Sequence, residues 1–274
     1  MPEHQPLDYY HAFRQTRFGK RANEMARWWI YLPEGVSLDQ WQDVLGADVN
    51  NLEHGRLVYG MTKWYIAQST DISPDEQRQL LIAAIIHDHA EALDGGEDLP
   101  SGTKTPQQRL DEMCALAEAA SDATDSGLYP SMSDEARAEA VESVIDVVAG
   151  NNKKLSDIFQ AIEQLTHIRT VFIALDRLDA GIPDPEVRNG LETLVASGVT
   201  ITGKKLLEMA DDPIVKESLL ASRERINQSL EQPLQSTDWQ KHFGDRALAL
   251  QIGYRVRKVQ WNEWLESVDQ TQSA

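Results

Sequence analysis

Cysteine is almost absent from this chain: Cys114 is the single one in 274 residues. That excludes a disulfide framework and a thiolate metal cage, and it fits a reducing compartment. Basic residues are also scarce, with 26 Lys and Arg against 44 Asp and Glu and a formal net charge of -18. Non-specific binding to a nucleic acid polymer depends on neutralising phosphates with Lys and Arg, so this balance opposes it. Long apolar runs are missing too. None approaches the roughly 18 residues of a spanning helix, and the opening MPEHQPLDYYHAF is too polar for a secretory signal. We therefore expect no membrane partner and a cytoplasmic location. Alternating strand patterns do not persist, although Val199-Thr200-Ile201-Thr202 reads as a short extended piece. There is no internal repeat and no low-complexity tract.

What the chain does have is helical period nearly everywhere. Helices are expected over 7–30, 37–46, 50–68, 74–94, 105–123, 133–149, 156–180, 184–197, 203–231 and 238–267, an all-α chain. The best bounded is 74–94: Ser73 is a natural N-cap, Pro74 suits the first position, Glu76 completes a capping box, and Gly95-Gly96 stop it. The turn-rich GIPDP at 181–185 divides a functional core, 1–180, from a helical extension, 181–274. With Trp239, Trp261 and Trp264 that extension is expected to dock on the core or to mediate self-association into a homo-oligomer.

Chemistry concentrates at the end of the apolar run Ile82-Ala83-Ala84-Ile85-Ile86, where His87 and Asp88 follow and Glu91 comes one turn on. Ionisable groups ending a buried run are costly to desolvate unless something compensates, and a cation would. His87 to Glu91 is i,i+4 and Asp88 to Glu91 is i,i+3, so on a continuing helix all three share a face. Glu91 is then placed to handle a proton beside a metal held by its neighbours. His54 shares a stripe with Val58, Met61 and Tyr65, which turns it inward as a core histidine or as a ligand. Asp176 shares a stripe with Ile162, Leu165, Phe172 and Ile173 on the 156–180 helix, and Asp179 is its competitor. His167 and His89 are out of phase with these groups. Between Asp8 and Tyr31 lies one basic stretch, with Arg14, Arg17, Lys20, Arg21 and Arg27. It reads as a solvated face or as a surface turned toward an anionic substrate.

This His…His-Asp…Asp order on three helices resembles the HD-domain metal-dependent phosphohydrolases over roughly His54 to Ala180. HDHAEALDGGEDLP resembles the HDxxE…GD(I/L)P segment of the 5′-deoxynucleotidase-like branch, and ALDRLDA resembles its (A)DxLxA segment. The resemblance implies an HD-type helical bundle with His54, His87, Asp88 and Asp176 as metal ligands. It implies Glu91 as the acid/base and Asp98 as a substrate-contacting carboxylate. It further implies Arg27-Trp28 as the pair shaping a nucleotide pocket and Lys104 as a phosphate-facing lysine. The chain departs from the pattern at Glu97, where the family has glycine, in SGTKTP, and in its longer spacings around the site. Two imidazoles and two carboxylates suit one Mn, Co, Fe, Ni or Zn ion better than Ca, and Mg less well. The implied activity is phosphate release from (deoxy)nucleoside 5′-monophosphates. The alternatives are a dNTP triphosphohydrolase using the same site and a non-enzymatic nucleotide-binding scaffold.

Overall fold

Helical period is what folding realises. The computed structural model describes residues 9–88, 105–123, 133–231, 239–240 and 244–272, and among these there is no β-strand. The helices are α1 (Tyr9–Phe13), α2 (Arg17–Ala22), α3 (Leu38–Leu45), α4 (Asn51–Gln68), α5 (Pro74–Ile86) and α6 (Pro106–Ala123). They continue with α7 (Asp134–Ala149), α8 (Lys153–Asp179), α9 (Pro185–Glu208), α10 (Pro213–Ala221), α11 (Arg223–Glu231) and α12 (Ala247–Gln272). The all-α expectation holds, with a long helix at the C-terminal end. No helix among the described residues is long and apolar enough to cross a membrane.

The chain divides into two compact units, and the division does not fall at the GIPDP turn. One unit comprises the residues through Arg27 and Asp48–Glu163; the other comprises Trp28–Ala47 and Gln164 onward. The expected break at 180/181 thus lies inside the second unit.

In the first unit α5 is the central element. Leu80 and every residue from Ile82 to Ile86 are buried, and a helix apolar around its whole circumference must be surrounded. It packs against α1, α4, α6 and α7. Its start is built as the sequence implies: Ser73 accepts from the Glu76 amide and the Glu76 side chain accepts from the Ser73 amide, with Pro74 in the first turn. Gly55 sets the approach of α4. A Cβ there would sit 3.3 Å from the Ile85 carbonyl oxygen, so glycine lets the two helices close where His54 and His87 face each other.

In the second unit α9 packs against α11, α12 and a 3₁₀ turn at Trp29–Tyr31. Tyr31 donates its hydroxyl to Ser197 Oγ at 2.9 Å. A Cβ on Gly190 would lie 2.8 Å from the Tyr31 carbonyl oxygen and 3.1 Å from the Trp41 ring. On α12 the Trp261 indole donates to Asn227 Oδ1 at 2.6 Å and stacks on Trp264 at 5.1 Å. Trp239 and Trp261 are buried within this unit, which accounts for their presence. Leu248, Ile252, Val256 and Val259 remain exposed along one stripe of α12.

Several expected elements are corrected. The 74–94 helix ends at Ile86, with His87 as its C-cap, short of the expected Gly95-Gly96 stop. The 7–30 helix is interrupted twice, between α1 and α2 and again before Trp28, whose φ of 62° leaves the right-handed helical region. Val199–Thr202 is not extended: α9 runs through it, and the Thr200 hydroxyl donates to the Ala196 carbonyl at 2.7 Å. That bond satisfies the hydroxyl inside a helix that β-branched residues otherwise weaken. The 203–231 helix is three pieces, because Asp212-Pro213 caps and starts α10.

Candidate metal centre

The site is assembled in the first unit from two contacts remote in sequence. An isolated antiparallel bridge joins Ala26 to Asn50. Arg27 N–H donates to the Val49 carbonyl at 3.0 Å, and Asn51 N–H donates to the Met25 carbonyl at 3.1 Å. This tie sets Arg27 beside the start of α4, where Asn50 caps the helix by accepting from the Glu53 amide. One turn into α4, His54 is fully buried and faces the end of α5. There His87 is the C-cap, with its side chain 4% exposed, and Asp88 follows with its side chain 21% exposed.

His54, His87 and Asp88 each offer a ligand atom within 4.8 Å of the others. The hydrogen bonds of the two rings decide which nitrogens those are. His54 Nδ1 lies 2.9 Å from the Asp48 carboxylate, and His87 Nδ1 lies 3.1 Å from the Ala84 carbonyl oxygen. Both partners can only accept, so in the neutral rings Nδ1 carries the hydrogen and Nε2 presents its lone pair. His54 Nε2 is 3.6 Å from Asp88 Oδ2, and His87 Nε2 is 3.4 Å from Asp88 Oδ1. The buried His87 Nε2 makes no hydrogen bond among the described residues.

Electron-rich atoms converging in a buried place repel unless a cation lies among them. Two ligands of one ion, each bound at 2.0–2.2 Å, stand roughly 3.0–3.4 Å apart. The observed separations are at or slightly above that span. A carboxylate holding the far nitrogen of a ligating histidine is also the usual support of such a site, and Asp48 occupies that position for His54. The donor set of two imidazoles and a carboxylate therefore fits a divalent transition metal.

Arg27 enters this centre as a structural cation. Its guanidinium Nη1 donates to Asp88 Oδ2 at 2.5 Å and to Asn51 Oδ1 at 3.4 Å, and its Nε is 3.6 Å from Asp48 Oδ1. It is buried, unlike Arg14, Arg17 and Lys20, which are exposed. Arg17 pairs at the surface with Glu118 at 3.2 Å. The basic stretch is thus a solvated face with one inward member. Trp28, expected as the partner of Arg27 in a nucleotide pocket, belongs to the second unit. Its ring lies against Tyr31 and His167, and its carbonyl accepts from the Trp41 indole at 3.2 Å.

Asp176 does not take the buried position expected of it. Its side chain is 60% exposed in the second unit, where it is ion-paired with Arg225. The buried stripe of α8 runs through Leu165, Ile168, Val171, Phe172 and Leu175. Of the expected stripe, Ile162, Leu165 and Phe172 are buried, but Ile173 is only half-buried and Asp176 three further on faces outward. Asp179, the competitor, is likewise exposed and accepts from Gln228 at 2.6 Å. Glu91, Asp98 and Lys104 lie outside the described residues.

Three residues of the centre had not been anticipated. Asp48 is fully buried at a φ of 57°, a conformation Asp tolerates better than most residues. It lies in the loop before α4, out of reach of any helical phase argument. Asn51 contacts Arg27. Glu163 on α8 brings Oε1 to 3.6 Å from His87 Nε2, one turn after Phe159, whose ring packs edge-on to His87 at 5.3 Å. Phe159 and Glu163 share that face of α8, but nothing in the sequence sets it toward His87. No protein-family model matches this chain, and no curated protein or solved structure matches it either.

Proposed function

We propose that the chain is a metal-dependent phosphohydrolase acting on nucleotides, releasing phosphate from (deoxy)nucleoside 5′-monophosphates. The observation that carries the reading is the convergence of His54 Nε2, His87 Nε2 and the Asp88 carboxylate, with both Nδ1 atoms already committed. His54 and His87 would hold one divalent ion through Nε2, and Asp88 through its carboxylate. When bound, such an ion supplies Lewis acidity toward a phosphoryl oxygen and makes a water nucleophilic near neutral pH.

The chain's own groups do the rest. Asp48 keeps the hydrogen of His54 on Nδ1 and so keeps Nε2 pointing inward. Ala84 does the same for His87 through its carbonyl. Arg27 is a cationic side chain built into the centre's wall, where it balances Asp48 and Asp88. Apolar packing by Phe159 and the α5 core limits water around the imidazoles, which strengthens charge interactions inside. The nucleotide part of the reading rests on the resemblance of HDHAEALDGGEDLP to its family segment. In that reading Glu91 handles the proton and Asp98 and Lys104 contact substrate.

The test is a panel of ribo- and deoxynucleotide mono-, di- and triphosphates with Mn, Co, Ni, Zn and Mg, with products identified. Metal-dependent release of inorganic phosphate from monophosphates is expected, abolished in His87→Ala and Asp88→Ala with helicity retained. Release of triphosphate from dNTPs would move the reading to a triphosphohydrolase. Full turnover in either variant would refute it. One observation favours a second reading: Arg27 already neutralises Asp88 at 2.5 Å, as in a non-catalytic polar core or scaffold. A chain that takes up no metal and hydrolyses no nucleotide would support that reading.

A further inference from the structure

We infer that Glu163 supplies a further carboxylate ligand to the centre, in the role expected of Asp176. The inference rests on the reading of His54, His87 and Asp88 as a metal site. Glu163 Oε1 lies 3.6 Å from His87 Nε2, close to the 3.4 Å between that nitrogen and Asp88 Oδ1. His87 Nε2 is thus flanked by two carboxylate oxygens and hydrogen-bonded to neither. In the neutral ring, whose hydrogen sits on Nδ1 toward the Ala84 carbonyl, this nitrogen has only a lone pair to offer them. Two carboxylates held against a lone pair, in a side chain that is 4% exposed, mark where a cation belongs.

Glu163 has no competing claim on its charge. No Lys or Arg pairs with it among the described residues, whereas Asp176 is taken by Arg225. Its side chain is 24% exposed against 60% for Asp176. It is presented by the same face of α8 that lays Phe159 on the His87 ring, so its backbone is held while its three side-chain torsions stay adjustable. It approaches from the His87 side and lies outside the set whose ligand atoms all fall within 4.8 Å. Ligation by Glu163 requires a turn about its side-chain torsions to bring the carboxylate to an ion that the other three would hold.

The experiment uses the full chain, stripped with chelator and titrated with Co(II), following visible absorption and heat of binding. Wild type is expected to bind one Co(II) per chain. Glu163→Gln keeps size and shape and should weaken binding by about tenfold or more, since losing even a residue that only orients a ligand costs that much. It should also change the intensity of the visible bands. Glu163→His, which restores a donor, should recover part of the affinity, and Asp176→Asn should leave binding and spectrum unchanged. Far-UV circular dichroism on each stripped variant checks the fold. Unchanged binding and spectrum in Glu163→Gln, or weakening in Asp176→Asn alone, overturns the inference while leaving the metal site intact. Failure of wild type to bind Co(II) overturns both.

Discussion

Asp48 gives the sharpest test of how the centre is built. It is fully buried, receives the Nδ1 hydrogen of His54 at 2.9 Å and sits 3.6 Å from the Arg27 Nε. Asp48→Ala removes three things at once. Arg27 keeps Asp88 but loses a second carboxylate, which at the low end of breaking a buried pair costs about 3 kcal/mol. His54 loses its acceptor, and a buried donor left unsatisfied costs about 1–3 kcal/mol. Alanine also tolerates the φ of 57° poorly, at about 1 kcal/mol. These effects share atoms and do not add in full, so we expect about 3–5 kcal/mol in total. Asp48→Asn keeps an acceptor for His54 and the backbone conformation and loses only the charge, so a smaller loss than in Asp48→Ala is expected. Urea unfolding of the metal-free chain measures the difference, and hydrogen exchange of α4 and α5 amides locates it. Asp48→Ala within 1 kcal/mol of wild type, or equal to Asp48→Asn, would refute the roles assigned to Asp48. Because His54 then loses its fixed tautomer, Co(II) affinity should fall about 10–100-fold in Asp48→Ala.

Arg27→Gln leaves Asp48 and Asp88 without their shared cation and should destabilise the metal-free chain by about 3–5 kcal/mol. Added Co(II) should then raise its Tm by more than it raises that of wild type; an equal rise in both would count against a shared cation role. Gly190→Ala drives a Cβ against the Tyr31 carbonyl and the Trp41 ring and should cost about 1–3 kcal/mol, read by urea unfolding. Glu76 is held down to about 2, first by the hydrogen bond from Lys154 and then by the Ser73 amide. A carboxylate lowered on folding contributes stability above its unfolded pKa, and that contribution drains as pH falls from about 4.5 toward 2. Lys154→Met removes the larger cause, so its acid unfolding midpoint by circular dichroism should move to higher pH. An unmoved midpoint would show that the pair is immaterial. Tyr254 is pushed up to about 12, mainly by burial, so the stability it lends is full below pH 10 and drains as pH rises toward 12. Tyr254→Phe should flatten that alkaline loss.

Where the sequence predicted the helices well, local chemistry decided their ends. Ser73-Pro74 with Glu76 specifies a helix start through contacts no more than three residues apart, and the structure builds every one of them. The same signal at Asp212-Pro213 was equally readable and marks the break inside the expected 203–231 helix. The interruption before Trp28 is different in kind. A bulky residue at a φ of 62° is unfavourable locally, and its carbonyl is engaged by the Trp41 indole, thirteen residues away. Tertiary contacts of that sort leave no mark on short-range periodicity. The GIPDP turn is real as a turn but not as a boundary, because α9 after it packs on the 3₁₀ turn at Trp29–Tyr31 from far earlier in the chain.

The site divides along the same line. His54, His87 and Asp88, which the structure brings together, each end or interrupt an apolar stripe, where burial of a polar group demands compensation. The same logic failed at Asp176 by one helical position. The α8 stripe passes through Leu175, and a rotation of 100° turns the next residue to solvent, where Arg225 supplies the compensation instead. Glu163, which the structure brings to 3.6 Å from His87 Nε2, reads in the sequence as an ordinary surface carboxylate flanked by Ile162 and Gln164. Its meaning comes only from Phe159 one turn earlier, which anchors that face on His87. Asp48 carried no periodic signal at all, since it lies in a loop and acts through a bond to the wrong side of a histidine for ligation. A candidate ligand cluster is therefore legible where helix phase constrains it, while the groups that choose the tautomer and balance the charge become visible only when the chain is folded.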